Sequence, residues 1–283
     1  MDALTSPARS WLFVPANRPE RFAKAAASGA DRVIIDLEDS VTPADKAAAC
    51  AGLARTELPA SVPVYVRVNA ASTEWFDANI EVAAHLDVTG VLLPKVELPG
   101  DIKRADARLP AEFQIVPIVE TAGGVWNVLE VAHAPRVERL VFGALDFELD
   151  TGMLEGDDTF AYARSRIVLA SRIAGLAPPI DAVTIGIDDE AALTRDAERS
   201  RRFGFAGKLC IHPRQVAPLN RLFAPTAAEM AWAESILAEA DKRPGEGAFA
   251  LNGTMVDRPV IERARRIVAS KVIPSEARDL TSR

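Results

Sequence analysis

Two acids close apolar runs 26 positions apart, Glu120 in "PIVETAGG" and Asp146 in "FGALDF". A carboxylate in such a position is a helix cap, a salt-bridge partner or a ligand held ready for a cation. Other apolar runs end alike: "DLED" carries Asp36, Glu38 and Asp39, "VRVN" carries Arg67 and Asn69, and "PKVE" carries Lys95 and Glu97. Oxygen ligands from Glu120 and Asp146, completed by water, suit Mg2+, with Mn2+ as the alternative ion. The three histidines, His85, His133 and His212, are too scattered to suggest a zinc site. Arg67 lies on an apolar strand, where a fixed cation is costly unless paired. It reads as an ion pair with a neighbouring acid, a bidentate clamp on a substrate carboxylate, or both. Arg18, Arg21 and Lys24 in "ANRPERFAK" form either a solvated helix face or a site for the phosphates of an anionic cofactor. There is no Gly-x-Ser-x-Gly or cysteine-nucleophile signature, and Lys95 is the only Schiff-base candidate. Metal-assisted electrostatic chemistry is the main option left.

Something must bring these side chains together. Eight short runs rich in Val, Ile and Leu recur along the chain, at 11–15, 32–39, 64–69, 90–97, 114–121, 139–146, 180–185 and 207–213. Their hydrophobicity is continuous rather than alternating, as expected of strands covered on both faces. Helical stretches separate them, among them "RPERFAKAAASGA", "PADKAAACAGLARTEL" and "TFAYARSRIVLASRIAGL". Eight such βα units predict an α/β fold, a (β/α)8 TIM barrel, whose strand ends converge on one face. A doubly wound open sheet is the alternative, but no glycine-rich fingerprint follows the first run.

The barrel is expected over residues 1–225. A further helix (226–243) and a glycine-rich loop or short hairpin follow, then a helix from Pro259; together, as 226–273, they read as a lid. Residues 274–283 have no apolar pattern and are expected to be a disordered tail. The formal net charge of −7 disfavours a nucleic-acid-coating protein, though local arginines can still bind a small anion. No apolar run approaches the roughly 18–20 residues of a membrane helix, and no signal peptide is evident. Cys50 and Cys210 read as reduced thiols, and the expected location is cytoplasmic.

With these residues placed, the chain resembles the citrate lyase beta subunit-like branch of the HpcH/HpaI aldolase/citrate lyase family. The resemblance runs nearly end to end. It rests on the joint order of "LFVPANRPERFAKA", "DRVIIDLEDSV" with Lys46 downstream, "VRVN", "LLPKVE", "VETAGGVWN", "FGALDF", "FGFAGKLCIHPRQV" and "GAFALNGTMVDRP". It implies a Mg2+-dependent barrel enzyme that makes or breaks carbon–carbon bonds beside a thioester.

Residue by residue, the resemblance implies that Glu120 and Asp146 bind the metal and that Glu120 also meets the substrate. Arg67 would hold a keto-acid carboxylate. Glu38 and Asp39, with Asp36 beside them, would orient metal-bound waters. Asp257, in "GTMVDRP", would work on the proton of the carbon next to the thioester, in the site of a neighbouring subunit; by itself it also reads as a cap ahead of Pro259. Arg18, Arg21 and Lys24 would meet coenzyme A. One departure is Leu145, where many relatives carry an acid just before the metal-binding aspartate. The implied function is reversible cleavage of a 3-hydroxyacyl-CoA, of citramalyl-CoA or malyl-CoA type, to acetyl-CoA and a 2-keto acid, by a homotrimer or dimer of trimers. Alternatives are a citrate lyase beta-type subunit acting on an acyl-carrier-protein thioester, an aldolase that needs no coenzyme A, and a non-catalytic regulator that binds metal and thioester.

Overall fold

Each apolar run forms a parallel strand paired to the next in sequence. β1 (Ser10–Pro15), β2 (Arg32–Asp36), β3 (Val64–Arg67) and β4 (Gly90–Leu93) are followed by β5 (Gln114–Val119), β6 (Val141–Phe142), β7 (Ile180–Asp181) and β8 (Gly207–Cys210). β8 then pairs with β1, Trp11 opposite Leu209, so the sheet closes into the expected eight-stranded barrel. The structure is a computed structural model that describes residues 8–154, 156 and 158–270. The expected tail at 274–283 lies outside the described residues.

Burial on both faces accounts for the continuous hydrophobicity. One parity of strand residues (Trp11, Ile34, Tyr65, Leu92, Ile118, Val141 and Leu209) packs inside the barrel. The other parity, including Leu12, Val33, Ile35, Val66, Val91 and Val119, packs in the layer that joins strands to helices. Side chains alternate along a strand, so residues two beyond Ile34, Tyr65 and Ile118 share the interior parity at the C-terminal mouth. Those residues are Asp36, Arg67 and Glu120.

Seven of the eight strands stop short of their expected C-terminal ends, while β1 ends at Pro15 as expected. The sixth expectation, 139–146, is the clearest correction: β6 stops at Phe142, and Ala144–Thr151 is a helix with Asp146 in its first turn. An apolar pattern as short as "LVFGAL" fits strand or helix equally, and Gly143 supplies the bend between them. The helix expected from "RPERFAKAAASGA" is a 3-10 turn (Pro19–Arg21) followed by the short helix Phe22–Ala26.

By internal contacts the chain divides into Ala8–Phe223, which holds the barrel, and a unit that begins at Ala224. In the second unit Thr226 and Glu229 form a reciprocal capping box that starts the helix Ala227–Asp241. β9 (Ala248–Leu251) and β10 (Thr254–Asp257) make an antiparallel hairpin, followed by the helix Arg258–Ala269. Asn252 and Gly253, with φ of 49° and 77°, turn this hairpin in the left-handed conformation that an Asn-Gly pair favours. Ala233, Ile236, Val256 and Ala264 form the unit's own core. Among the described residues no helix is long and apolar enough to cross a membrane.

Candidate active site

The register of the barrel sets Asp36 directly opposite Arg67, at the last pair of the β2–β3 ladder. Their side chains meet in a fork: Arg67 Nε donates to Asp36 Oδ1 and Nη2 donates to Oδ2, both over 2.7 Å. Asp36 also accepts the backbone N–H groups of Glu38 and Ser40, and so shapes the turn that follows its strand. Burial raises the Asp36 carboxyl, but the charge and hydrogen bonds of Arg67 outweigh it, and the net shift is downward. The guanidinium lies 4.6 Å from the centroid of the Phe13 ring.

The loop after β2 is pinned by the next layer. Lys46 is buried and donates to the carbonyls of Leu37 (3.1 Å) and Glu38 (2.9 Å). Asn69 Nδ2 donates to Leu37 O over 2.9 Å and is held by Asn79. Both are therefore scaffold for the acids. Glu38 points inward, with Oε1 accepting from Lys95 Nζ over 2.8 Å. Its Oε2 is 2.8 Å from Arg67 Nη1, close enough for an ion pair but out of line for a hydrogen bond. Burial pushes the Glu38 carboxyl up, Asp39 adds to this, and Arg67 and Lys95 oppose it. Asp39 is more exposed, 3.5 Å from Arg67 Nη1.

Glu120 follows the last residue of β5 and is only 2% exposed. Its Oε1 accepts the backbone N–H of Lys95 over 2.8 Å. Lys95 presents that N–H from left-handed backbone, φ 53°, an uncommon state for a residue with a Cβ. On the other side Glu120 lies against Gly143, where an added Cβ would fall 2.1 Å from Oε2. Thr121 caps the next helix, its Oγ1 accepting from Gly124 N over 3.0 Å, so the cap and the inward acid are adjacent but separate residues. Burial, then the charges of Glu38 and Asp146, push the Glu120 carboxyl up to about 8 against the pull of Lys95 and Arg67.

Asp146 enters from the first turn of the helix after β6, its Oδ1 3.0 Å from Lys95 Nζ. Lys95 thus bridges Glu38 and Asp146 with its side chain and holds Glu120 with its backbone. Sequence reading weighed it only as a Schiff-base former and missed this role. The available signal was a lysine two residues past β4, on the mouth side of the barrel.

Asp36, Asp39, Arg67, Glu120, Leu145 and Asp146 line one cavity of about 380 Å³, together with Phe13, Ile118, Val183, Leu209 and Ile211. Glu97, by contrast, is exposed and does not line it. Among the described residues no group of three or more His, Cys, Asp and Glu is arranged to enclose a metal. The donors at this mouth are carboxylate oxygens, and a hard ion that keeps several waters needs only one or two of them. Glu120 also resists ionisation where it stands, and a divalent cation would relieve that cost. Glu120 and Asp146 therefore fit Mg2+. The histidines make only local contacts in the described structure, His85 to Glu81 O, His133 to Leu129 O and His212 to the backbone N–H of Arg214.

Arg18, Arg21 and Lys24 do not line this cavity. They are exposed on the segment that follows β1, with Arg18 paired to Glu20 at 2.7 Å. Asp257 belongs to the C-terminal unit, where it is the N-cap of the last helix and accepts from Val260 N over 3.3 Å.

This site can be set beside known proteins. The HpcH/HpaI aldolase/citrate lyase family model matches residues 9–213. A citrate lyase subunit beta-like protein of Deinococcus radiodurans is 38% identical, over 95% of this chain and 99% of its own length. The mitochondrial citramalyl-CoA lyase of Rattus norvegicus is 32% identical over 93% of this chain and 85% of its own. Among solved structures, protein CitE of Mycobacterium tuberculosis in complex with magnesium, acetoacetate and coenzyme A has 35% identity and a TM-score of 0.84, covering 95% of this chain and 99% of that one. The chain belongs to the citrate lyase beta-like branch of the HpcH/HpaI aldolase/citrate lyase family.

Proposed function

We propose that this protein is a Mg2+-dependent carbon–carbon lyase that cleaves a 3-hydroxyacyl-CoA thioester, of citramalyl-CoA or malyl-CoA type, to acetyl-CoA and a 2-keto acid, reversibly. The observation that carries the reading is one cavity holding a buried, hard-to-ionise Glu120 with Asp146 and Arg67. The rat relative named citramalyl-CoA lyase and the CitE complex with magnesium and coenzyme A support it.

Glu120 and Asp146 would hold the ion, which supplies Lewis-acid stabilisation of the substrate's oxygens. Asp36 already occupies the Nε–Nη2 fork of Arg67 and the more exposed Asp39 accepts from Nη1 over 3.5 Å, so a substrate carboxylate would meet Nη1 by taking the place of Asp39. Asp36 then keeps the guanidinium in one orientation while it binds. Glu38, from its buried position, and the more exposed Asp39 would orient waters bound to the metal. In cleavage the carbinol hydroxyl gives its proton to solvent water and becomes the keto oxygen, the bond to the thioester α-carbon breaks with its electron pair left on that carbon as the acetyl-CoA enolate, and that carbon takes up a proton. We assign this second proton to Asp257, supplied by the C-terminal unit of a neighbouring copy acting as a lid; in synthesis the same carboxylate removes it. Arg18, Arg21 and Lys24 would meet the coenzyme A phosphates.

The reading is tested by incubating the protein with free-CoA and carrier-protein-linked hydroxyacyl thioesters, with Mg2+ or with chelator, and identifying the products. Acetyl-CoA and a keto acid from the free CoA ester, in Mg2+ only, are expected. Cleavage of the carrier-linked ester alone would move the protein to a citrate lyase beta-type role, and no cleavage of either would overturn the lyase reading.

A further inference from the structure

The opposite, N-terminal end of the barrel holds a second buried polar group. Tyr65 is fully buried inside the barrel, its ring 4.9 Å from that of Trp11. Its hydroxyl donates to Glu138 Oε2 over 2.7 Å and lies 2.5 Å from Gln114 Oε1. Arg139, just before β6, is fully buried too, its guanidinium 5.5 Å from the centroid of the Trp11 ring. Arg32 opens β2 two residues before Ile34, so it shares the interior parity of that strand. None of these residues lines the cavity at the mouth.

This group has more cation than anion. Among the described residues Glu138 is the acid that pairs with Arg139, its Oε1 3.3 Å from Arg139 Nε. Arg139 Nη1 reaches the carbonyl of Pro178 at 3.5 Å, while Nη2 is buried with no hydrogen-bond partner among the described residues. Arg32 Nη1 donates to the carbonyl of Asp31 over 2.8 Å, and its Nε is likewise buried without a partner. Two guanidinium groups therefore share one carboxylate that already accepts from Tyr65, and each keeps a buried donor unused. Burial pushes the Arg139 guanidinium down, Glu138 opposes this, and the charge of Arg32 adds to it. A buried donor left unpaired is costly, and more so on a charged group. Water would supply an acceptor but no charge; a small anion supplies both. The Glu138 side chain is 14% exposed, so the group reaches the rim of the barrel, where an ion can enter.

We propose that Arg139 and Arg32 form a site for a small inorganic anion of the chloride class, at the N-terminal end of the barrel and apart from the mouth. Arg139 Nη2 and Arg32 Nε donate to the ion. It balances the excess positive charge and ties the start of β2 to the start of β6 beside Tyr65. The site stands whatever reaction the mouth performs.

The test is thermal unfolding of the full chain across a chloride series at constant ionic strength, with the bulkier gluconate as the replacing anion. The melting temperature should rise by about 3 °C for each tenfold increase in chloride above its dissociation constant. Bromide should act alike, and crystals grown in bromide should show its anomalous signal within hydrogen-bond reach of Arg139. Arg139→Gln should be insensitive to chloride. Should that variant fail to fold, Arg32→Gln, at the partly exposed start of β2, should weaken the response. Glu138→Gln removes the competing carboxylate and should bind chloride at least about tenfold more tightly. A melting temperature that does not change with chloride, a response undiminished in the arginine variants, or bromide found only at the mouth overturns the inference.

Discussion

Lys95 holds Glu120 with its backbone and Asp146 with its side chain: its N–H is 2.8 Å from Glu120 Oε1, and its ammonium is 3.0 Å from Asp146 Oδ1. One residue at the exit of β4 therefore positions both acids assigned to the metal and supplies a positive charge between them. Burial opposes the charge on Lys95, but Glu38, Glu120 and Asp146 outweigh it and hold the ammonium protonated.

Replacing that charge should alter metal binding before it alters the fold. Lys95→Met keeps the backbone N–H and removes the ammonium that competes for the carboxylates. Mg2+ should bind about tenfold more tightly by calorimetry, and saturating Mg2+ should raise the melting temperature more than in the wild type. Unchanged or weaker Mg2+ affinity would show that the ammonium does not compete there.

The Glu120 carboxyl predicts a pH dependence with a definite sign. Its value in the folded protein is about 8, against an ordinary 4.5. Between those values the folded state binds more protons than the unfolded chain, so without metal stability should fall as pH rises through that window. Mg2+ binding should release close to one proton at pH 6 and almost none at pH 9, measured by titration in buffers of different ionisation enthalpy. Glu120→Gln should remove both effects. Proton release that does not change with pH would contradict the assignment.

Gly143→Ala tests the packing behind that carboxylate. The added methyl group would fall 2.1 Å from Glu120 Oε2, so Glu120 must move. A loss of about 1–3 kcal/mol in unfolding free energy is expected, with Mg2+ affinity reduced at least about tenfold. Wild-type affinity in this variant would mean that the position of Glu120 is not set by Gly143.

The assignment of Asp257 predicts complementation. Asp257→Ala and Glu120→Ala proteins should each be inactive, and mixed oligomers should recover part of the activity if one copy supplies the metal site and another the proton. Asp257→Ala also removes a helix cap worth about 1 kcal/mol, so its melting temperature must be measured alongside. Inactive mixtures, after mass spectrometry shows that subunits have exchanged, would contradict the shared site.

Much of this was legible in the sequence, for a simple reason. A run such as "VIIDLED" or "VYVRVN" alternates inside and outside whatever its exact length, so a charged residue in phase with Ile34 or Tyr65 must face the barrel axis. That parity explains why Asp36, Arg67 and Glu120, singled out in the sequence only as charged residues at the ends of apolar runs, share the barrel mouth. It gave no guidance where the chain leaves the strand. β6 and β7 have two residues each, and Asp146 reaches the mouth from a helix that the pattern of "FGALDF" does not distinguish from strand. The Asp36–Arg67 pair was one of two readings open for Arg67, because the ladder register that aligns them is a property of the closed sheet. Lys95 was read by residue type alone, since its two roles depend on Glu120 and Asp146 arriving from other strands. Asp257 rests on resemblance from first to last, for its visible hydrogen bond is a helix cap.

The central claim is that Glu120 and Asp146 hold a divalent ion on which carbon–carbon cleavage depends. Its most direct test is the mass-resolved product spectrum of citramalyl-CoA incubated with the wild type and with Asp146→Ala, each in Mg2+ and in chelator. The account predicts acetyl-CoA and pyruvate from the wild type in Mg2+ alone, with Asp146→Ala folded but inactive in both. Equal cleavage in chelator, or full activity in Asp146→Ala, would contradict it.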